Sequence, residues 1–219
     1  MESVPALQFD INQKLSTDWQ TSFWTAFLLV WVTCGIYGVY IFYKLLERRQ
    51  QHFERMVALR WHLIEFLREK AALSGRENEL AEDLVELERL HAKATERDRE
   101  GDKSPVIWLV LAIIGFLPAT FYAMNFLNSD FHDHEENEVL FLDRAGDLMS
   151  MLGMNPVSPV TQAVPIRSFL LLFLLTLVTF GIYGIYWWYT LISDPNEHFN
   201  GHGVWEAWLT GEIAPALTA

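Results

Sequence analysis

Three long apolar stretches alternate with polar stretches along the chain. They cover residues 23–46, 105–127 and 167–192, and their charged residues are Lys44, near the end of the first, and Arg167, at the start of the third. Each stretch exceeds the about 20 residues that carry an α-helix across a hydrocarbon core about 30 Å thick. The pattern therefore predicts an all-α membrane protein with three transmembrane helices.

The polar stretch 47–104 has the apolar periodicity of amphipathic helices on both sides of one interruption, at Ser74-Gly75. This predicts a long helical hairpin with its turn at 73–76. No glycine or proline lies between Gly38 and Gly75, so we expect its first helix to continue directly from the first transmembrane helix.

Thirteen of the sixteen Lys and Arg residues lie from Lys44 through Lys103. Because basic connections stay on the cytoplasmic side, this bias places the 47–104 hairpin in the cytoplasm. The amino-terminal arm 1–22 and the acidic loop 128–166 are then predicted outside, the loop carrying a short amphipathic helix over 138–152. The carboxyl-terminal tail 193–219, with a helix break at Pro195, is predicted in the cytoplasm.

The first and third apolar stretches repeat one motif. Residues 32–43 read VTCGIYGVYIFY and residues 178–189 read VTFGIYGIYWWY, without a gap. The same register later matches His52-Phe53 to His198-Phe199. Both copies run in the same direction through the predicted membrane, which indicates a parallel internal repeat.

Small residues in the repeat predict close packing of the helices, because small side chains let helix backbones approach in lipid. The packing candidates are Cys34, Gly35, Gly38, Thr179, Gly181 and Gly184. The aromatic residues suit an interfacial belt, with contact to a bound lipid, quinone or pigment as the alternative. These candidates are Tyr37, Tyr40, Tyr43, Tyr183, Tyr186, Tyr189, Trp187 and Trp188. Their spacing selects no ligand, and no cofactor is predicted.

The signature T-x-G-I-Y-G-x-Y-x-x-Y resembles a widespread family of small prokaryotic integral membrane proteins of unknown function. The resemblance covers a short part of each copy, and the second copy, with Trp187-Trp188, is closer to the family pattern. It implies a multi-pass protein of the prokaryotic cytoplasmic membrane. It implies no activity and no site residues.

Composition and motifs exclude more than they identify. A net charge of −12 argues against nucleic-acid binding, which needs a basic surface. The sequence has no phosphate-binding glycine loop, nucleophile elbow or zinc-protease helix, so we predict no enzyme.

Histidines in two polar segments are candidate metal ligands. His132 and His134 lie among four carboxylates at 130–136 and are weak metal candidates, with a solvated acidic loop as the alternative. For His198 and His202, glycines at 201 and 203 favour a polar turn over a metal-binding helix.

We therefore expect a non-enzymatic accessory or assembly subunit of a larger membrane complex, respiratory and photosynthetic complexes being examples of hosts. Leu59, Trp61 and Phe66 would dock on the partner, the alternative being a self-contained hairpin. Partners would be membrane lipid and other integral membrane subunits. The other reading is a homo-oligomeric small channel or transporter built on the repeat, which would require self-association.

Overall fold

The computed structural model describes residues 3–101, 103–115, 117–156 and 163–217, and all regular structure in these ranges is helical. The all-α class is confirmed. Part of the predicted outer loop, 157–162, lies outside the described residues. The helices are α1 Ser3–Asn12, α2 Lys14–Thr17, α3 Phe23–Val32, α4 Ile36–Leu73, α5 Ala81–Asp98, α6 Pro105–Gly115, α7 Leu117–Met151, α8 Phe169–Val178 and α9 Ile182–Leu217.

In the described part of the chain, no helix combines the length and the apolar character that crossing a membrane requires. The reason is that every predicted transmembrane segment is divided into two helices. The first is interrupted between Val32 and Ile36, the third between Val178 and Ile182, and the second between α6 and α7. The predicted count of three transmembrane helices is therefore not supported.

The chain reverses at each interruption and forms three short hairpins. In the first, a Cβ on Gly38 would lie 3.6 Å from Val30, and the Lys44 ammonium group lies over the ring of Trp19. In the second, the rings of Trp108 and Tyr122 stack 5.2 Å apart. We call them apolar hairpins A (residues 23–43), B (105–125) and C (168–189).

The repeated motif encodes the reversal in hairpins A and C. Cys34 and Phe180 adopt φ 51°, and the glycines that follow them, Gly35 and Gly181, adopt φ 93° and 92°. The Gly35 N–H donates to the Val30 carbonyl at 2.8 Å, which is the six-to-one bond of a Schellman helix end. Left-handed backbone of this kind ends a helix whatever the hydrophobicity around it.

The packing role predicted for the small residues therefore needs correction. A Cβ on Gly35 or Gly181 would meet nothing within 4 Å, so these glycines, with Cys34, serve the turn and no close helix contact. Gly38 and Gly184 do face the preceding helix, but within their own hairpin. Thr179 Oγ1 accepts a hydrogen bond from the Tyr183 N–H at 2.9 Å and so joins the two helices of hairpin C.

The helices α4, α7 and α9 run on from the hairpins into one bundle. After Gly75, with φ 70°, α5 packs back along α4, which confirms the predicted helical hairpin. Helix α1 packs against α4 and α9 on another side. The core of this bundle unites residues from Val4 in α1 to Ile213 in α9.

Segments predicted on opposite sides of a membrane are in direct contact within this bundle. Residues 128–151 belong to α7, and the amphipathic part at 138–152 packs inward through Phe141, Leu142 and Leu148. Arg144 of α7 pairs with Asp83 of the 47–104 segment. The separation of the arm 1–22 and the loop 128–166 from that segment is therefore wrong.

The predicted helix break at Pro195 is also wrong, because α9 continues through it. Proline has no N–H, so it leaves the carbonyl of Leu191 without its helical partner. The buried guanidinium of Arg48 donates to that carbonyl at 2.5 Å. Because Arg48 satisfies this carbonyl, α9 continues past Pro195, and the 193–217 segment enters the bundle.

Candidate metal centre

Four histidines from three helices meet in the bundle core, below the apolar hairpins. His52 comes from α4, His134 from α7, and His198 and His202 from α9, and all four are fully buried. Glu138, one helical turn after His134, is buried beside them. Five potential ligands therefore lie close together in the interior of the bundle.

The Nε2 atoms of these imidazoles face one another. Those of His52 and His198 are 3.2 Å apart, and Nε2 of His202 lies 2.9 Å from Glu138 Oε2. Nε2 of His198 lies 3.9 Å from the same carboxylate oxygen. Nε2 of His134 is buried and has no hydrogen-bond partner among the described residues.

Each Nδ1 atom points outward to a separate carboxylate. His52 contacts Asp18 at 2.8 Å, and His134 contacts Asp98 at 2.8 Å. His198 contacts Glu135 at 3.1 Å and His202 contacts Glu206 at 3.3 Å. Metal-binding histidines characteristically donate their second N–H to a carboxylate in this way.

These contacts set the protonation of the rings. An ionised carboxylate only accepts, so each Nδ1 carries the proton and each Nε2 of a neutral ring presents a lone pair. Several lone pairs and the Glu138 carboxylate then converge without enough donors among them. A cation at their centre removes that repulsion.

Two buried arginines balance part of the outer charge. Arg55 donates to Asp18 at 2.8 Å and to Glu206 at 2.6 Å, and Arg60 donates to Asp98 at 2.5 Å. Glu135 accepts from the N–H groups of residues 163 and 164. With neutral imidazoles, the five carboxylates outnumber the two guanidinium groups, so the centre is negative and suits a divalent cation.

The pKa values follow from burial and from this charge. Burial lowers the pKa of His52 well below its usual range, and the neighbouring histidines lower it further; His198 is lowered for the same reasons. Burial opposes protonation of His202 too, yet the carboxylates of Glu138 and Glu206 raise its pKa to about 9. Two of the rings are thus held neutral, as ligands must be.

The ligand atoms form two sets that share one residue. Those of His52, His198 and His202 all lie within 4.8 Å of one another, as do those of His134, Glu138 and His198. A single Nε2 lone pair binds one ion, so sharing His198 argues for one ion in contact with both sets. Imidazole and carboxylate ligands suit Zn²⁺, Fe²⁺ and the other divalent ions of the first transition row.

The helices explain the convergence. His134 and Glu138, and likewise His198 and His202, are four residues apart, which places each pair on one helix face. His52 and His198 each lie 17 residues after the turn glycine of their repeat, Gly35 or Gly181. The two copies of the repeat thus deliver one histidine each at the same helical depth.

Sequence reasoning located part of this centre. His134 is in it, whereas His132 lies outside with its Nδ1 on the Val164 carbonyl at 2.8 Å. His132, Asp133 and Glu136 form a separate, more exposed set of ligand atoms. The prediction of a polar turn at His198 and His202 is wrong, because α9 is helical through Gly201 and Gly203.

The other predicted site residues do not form a common site. Leu59 and Phe66 are buried in the bundle's own core, so they are not available for docking, and Trp61 is partly exposed beside His91. Trp188 lines an apolar cavity of about 440 Å³ between hairpins A and B, together with Gly35 and Gly38.

The aromatic residues of the repeat have mixed surroundings. Tyr43 donates to Glu47 at 2.9 Å. Trp187 is buried, Tyr40, Tyr186 and Tyr189 are exposed, and Tyr37 and Tyr183 are half-buried against the hairpin core. The contact to lipid, quinone or pigment stays a prediction.

Fold and centre together define an all-helical protein with a buried histidine–carboxylate cluster under three apolar hairpins. Two segments of the chain, 21–68 and 167–214, belong to one family, the domain of unknown function DUF4234, so the chain carries this domain twice. The suspected family, present in two copies, is confirmed. Neither the curated proteins nor the solved structures contain a match to the chain.

Proposed function

We propose that this protein is a membrane-associated metal-binding protein that holds one divalent transition-metal ion with His52, His134, His198, His202 and Glu138. The observation that carries the proposal is the common orientation of the four histidine rings. Every Nδ1 is backed by a carboxylate, and the Nε2 atoms converge with Glu138 in a fully buried position.

The enclosure of the centre favours a non-enzymatic role. Catalytic metal sites keep a coordination position open for water or substrate, whereas structural sites are closed by protein ligands. Here two overlapping sets of three protein groups, five residues in all, form the centre, and all are buried. We propose that the ion stabilises the bundle.

Membrane association is the second part of the proposal, and the surface of the apolar hairpins supports it. Side chains such as Trp31, Ile36, Ile114 and Val178 are more than 70% exposed. Apolar surface of this extent marks a contact with lipid or with other proteins. The accessory-subunit role also stays a proposal, without a docking face at Leu59 and Phe66, because both are buried.

Elemental analysis of the full chain, purified in mild detergent, tests the metal centre. We expect one transition-metal ion per chain, and a visible absorption spectrum on titration with Co²⁺. His198→Ala removes the ligand common to both sets and should abolish both signals. His62→Ala is the matched control, because His62 also contacts a carboxylate, Asp10, at 2.5 Å but lies outside the cluster.

A more conservative substitution keeps the test valid if the His198→Ala variant does not fold. Asp98→Asn leaves all four imidazoles in place and removes one supporting charge, and loss of such a partner weakens metal binding about 10–100-fold. Circular dichroism and gel filtration check the fold of each variant. Equal metal content in the wild type and His198→Ala, or two ions per wild-type chain, would overturn the proposal.

A further inference from the structure

We infer that the three apolar hairpins insert into one leaflet of a lipid bilayer and return, so that the whole helical bundle lies on a single side of the membrane. The inference rests on the proposed membrane association and specifies its depth and topology. The occupant of the exposed apolar surface is the acyl-chain region of that leaflet.

The length of the hairpins fits one leaflet. Helices α3, α6 and α8 have 10, 11 and 10 residues. At 1.5 Å per residue each is about 15 Å long, which is half of a hydrocarbon core of about 30 Å. Residues 23–43, 105–125 and 168–189 contain no Asp, Glu, Lys or Arg.

The three hairpins point the same way. The rings of Phe121 in hairpin B and Phe173 in hairpin C are 5.1 Å apart, and Phe23 of hairpin A lies 5.2 Å from Tyr189 of hairpin C. At their bases, Asp130 pairs with both Arg49 and Lys103. The tips therefore form one apolar layer, with the charged bundle beneath it.

The turns of hairpins A and C satisfy their own N–H groups, as lipid requires. In hairpin A every N–H from Thr33 to Gly38 donates within the hairpin, the N–H of Tyr37 to Thr33 Oγ1 at 2.9 Å and the others to carbonyls. The N–H groups from Thr179 to Gly184 repeat this pattern. An unsatisfied N–H in the hydrocarbon region costs several kcal/mol, whereas water would satisfy it without such an arrangement.

The residue at the tip of hairpin C adds an independent argument. Phe180 is 98% exposed and has a left-handed φ of 51°. A fully exposed aromatic side chain on an unfavourable backbone contributes nothing to packing within the protein. Insertion into acyl chains gives that side chain an apolar environment.

Basic and aromatic groups surround the base of the layer, where headgroups would lie. Lys44 lies over Trp19, and Lys103 lies over Phe126. Arg167 pairs with Asp194 next to hairpin C. Long basic side chains and tryptophan are typical of the membrane interface.

Flotation with protein-free vesicles of phosphatidylcholine and phosphatidylglycerol tests insertion without any partner subunit. The full chain, diluted from detergent, should float with the vesicles, and Phe180→Asp should reduce the floating fraction severalfold. Phe9→Asp is the matched control, because Phe9 is also exposed but lies in α1, away from the hairpins. If the wild-type chain does not float, membrane association itself is wrong.

Labelling with a membrane-impermeant maleimide tests the topology. Ser16, Ser74 and Ser150 are exposed, in the amino-terminal arm, the turn before α5 and α7, and each is changed to Cys on a Cys34→Ser background. In native membranes, one-leaflet insertion predicts that all three are labelled from the same side. Labelling of Ser74→Cys from one side and of Ser16→Cys from the other would overturn the inference while leaving membrane association intact.

The native Cys34, at the tip of hairpin A, provides a depth measurement. A fluorophore attached there should be quenched most strongly by lipids labelled near the ends of their acyl chains. Quenching by headgroup-labelled lipid alone would show that the hairpins lie on the surface, and would also overturn the inference.

Discussion

The hairpin layer and the bundle beneath it distribute polarity in opposite ways. In the hairpins the outer surface is apolar, and the turn N–H groups of hairpins A and C are paired within each hairpin. In the bundle the outer surface is charged, while the interior contains Arg55, Arg60 and the histidine–carboxylate centre. In both layers, polar groups that are kept from water find partners within the protein.

In this protein, large hydrophobic side chains are not always buried, and charged side chains are not always exposed. Phe180 is among the most exposed residues, whereas Arg48 and Arg60 are among the largest fully buried ones. A stability argument that counts only buried apolar area would describe neither layer.

The largest effect is expected from Arg55→Met in the bundle. Arg55 is the guanidinium partner of both Asp18 and Glu206, so its removal leaves two buried carboxylates without that charge. Breaking a buried pair of this kind costs about 3–5 kcal/mol. Denaturant unfolding, followed by circular dichroism, measures the change.

Arg68→Met is the control for Arg55→Met. Arg68 also pairs with a carboxylate, Glu88, but both side chains are more than one third exposed. Surface pairs contribute little, so the unfolding midpoint should stay nearly unchanged. Equal effects of the two substitutions would mean that the charged interior is not what stabilises the bundle.

A smaller effect is expected where the two layers join, at Arg48 and Pro195. Arg48→Met removes the donor to the Leu191 carbonyl, together with the longer bonds to Asn196 Oδ1 and the Ile192 carbonyl, and a buried carbonyl left unsatisfied costs about 1–3 kcal/mol. Pro195→Ala restores the N–H that the Leu191 carbonyl would otherwise use. Arg48→Met should therefore lower the free energy of unfolding less in the Pro195→Ala background, and a double-mutant cycle measures the difference. Additive effects would show that Arg48 does not compensate for the missing N–H of Pro195.

The smallest effect is expected in the hairpin layer. Gly35→Ala places a side chain at φ 93° with nothing within 4 Å, so only backbone strain of about 1–2 kcal/mol should destabilise the protein. Gly211→Ala, in the helical part of α9 and also without a neighbour, should stabilise by about 0.5–1 kcal/mol. Thermal unfolding in detergent compares them, and the same sign for both would contradict the assigned turn.

Sequence reasoning predicted the structural features that depend on local sequence patterns. The helical class, the hairpin around Ser74-Gly75 and the repeat all depend on periodicity or on matching residues in register. It missed the reversals because hydropathy counts apolar residues and ignores backbone angles. The signal was present, since Thr-x-Gly at 33–35 and 179–181 places a helix-ending glycine in mid-segment.

The centre was harder to predict because its parts are far apart in the chain. His52, His134 and His198 come from different helices, and their supporting carboxylates include Asp18 and Asp98 from elsewhere. Only the tertiary structure brings these residues together. The match of His52-Phe53 to His198-Phe199 was a usable hint, because an internal repeat that preserves a histidine outside its apolar motif indicates a shared position.

The 17-residue spacing between each turn glycine and its histidine fixes the distance from the hairpin tip to the centre. At 1.5 Å per residue it separates the hairpin tip from the centre by about 25 Å along α4 and α9. With the tip near the bilayer midplane, the ion would sit about 10 Å beyond the hydrocarbon edge, just outside the headgroup region. A one-residue insertion between Gly38 and His52 would turn that imidazole by about 100° and lift it out of the centre.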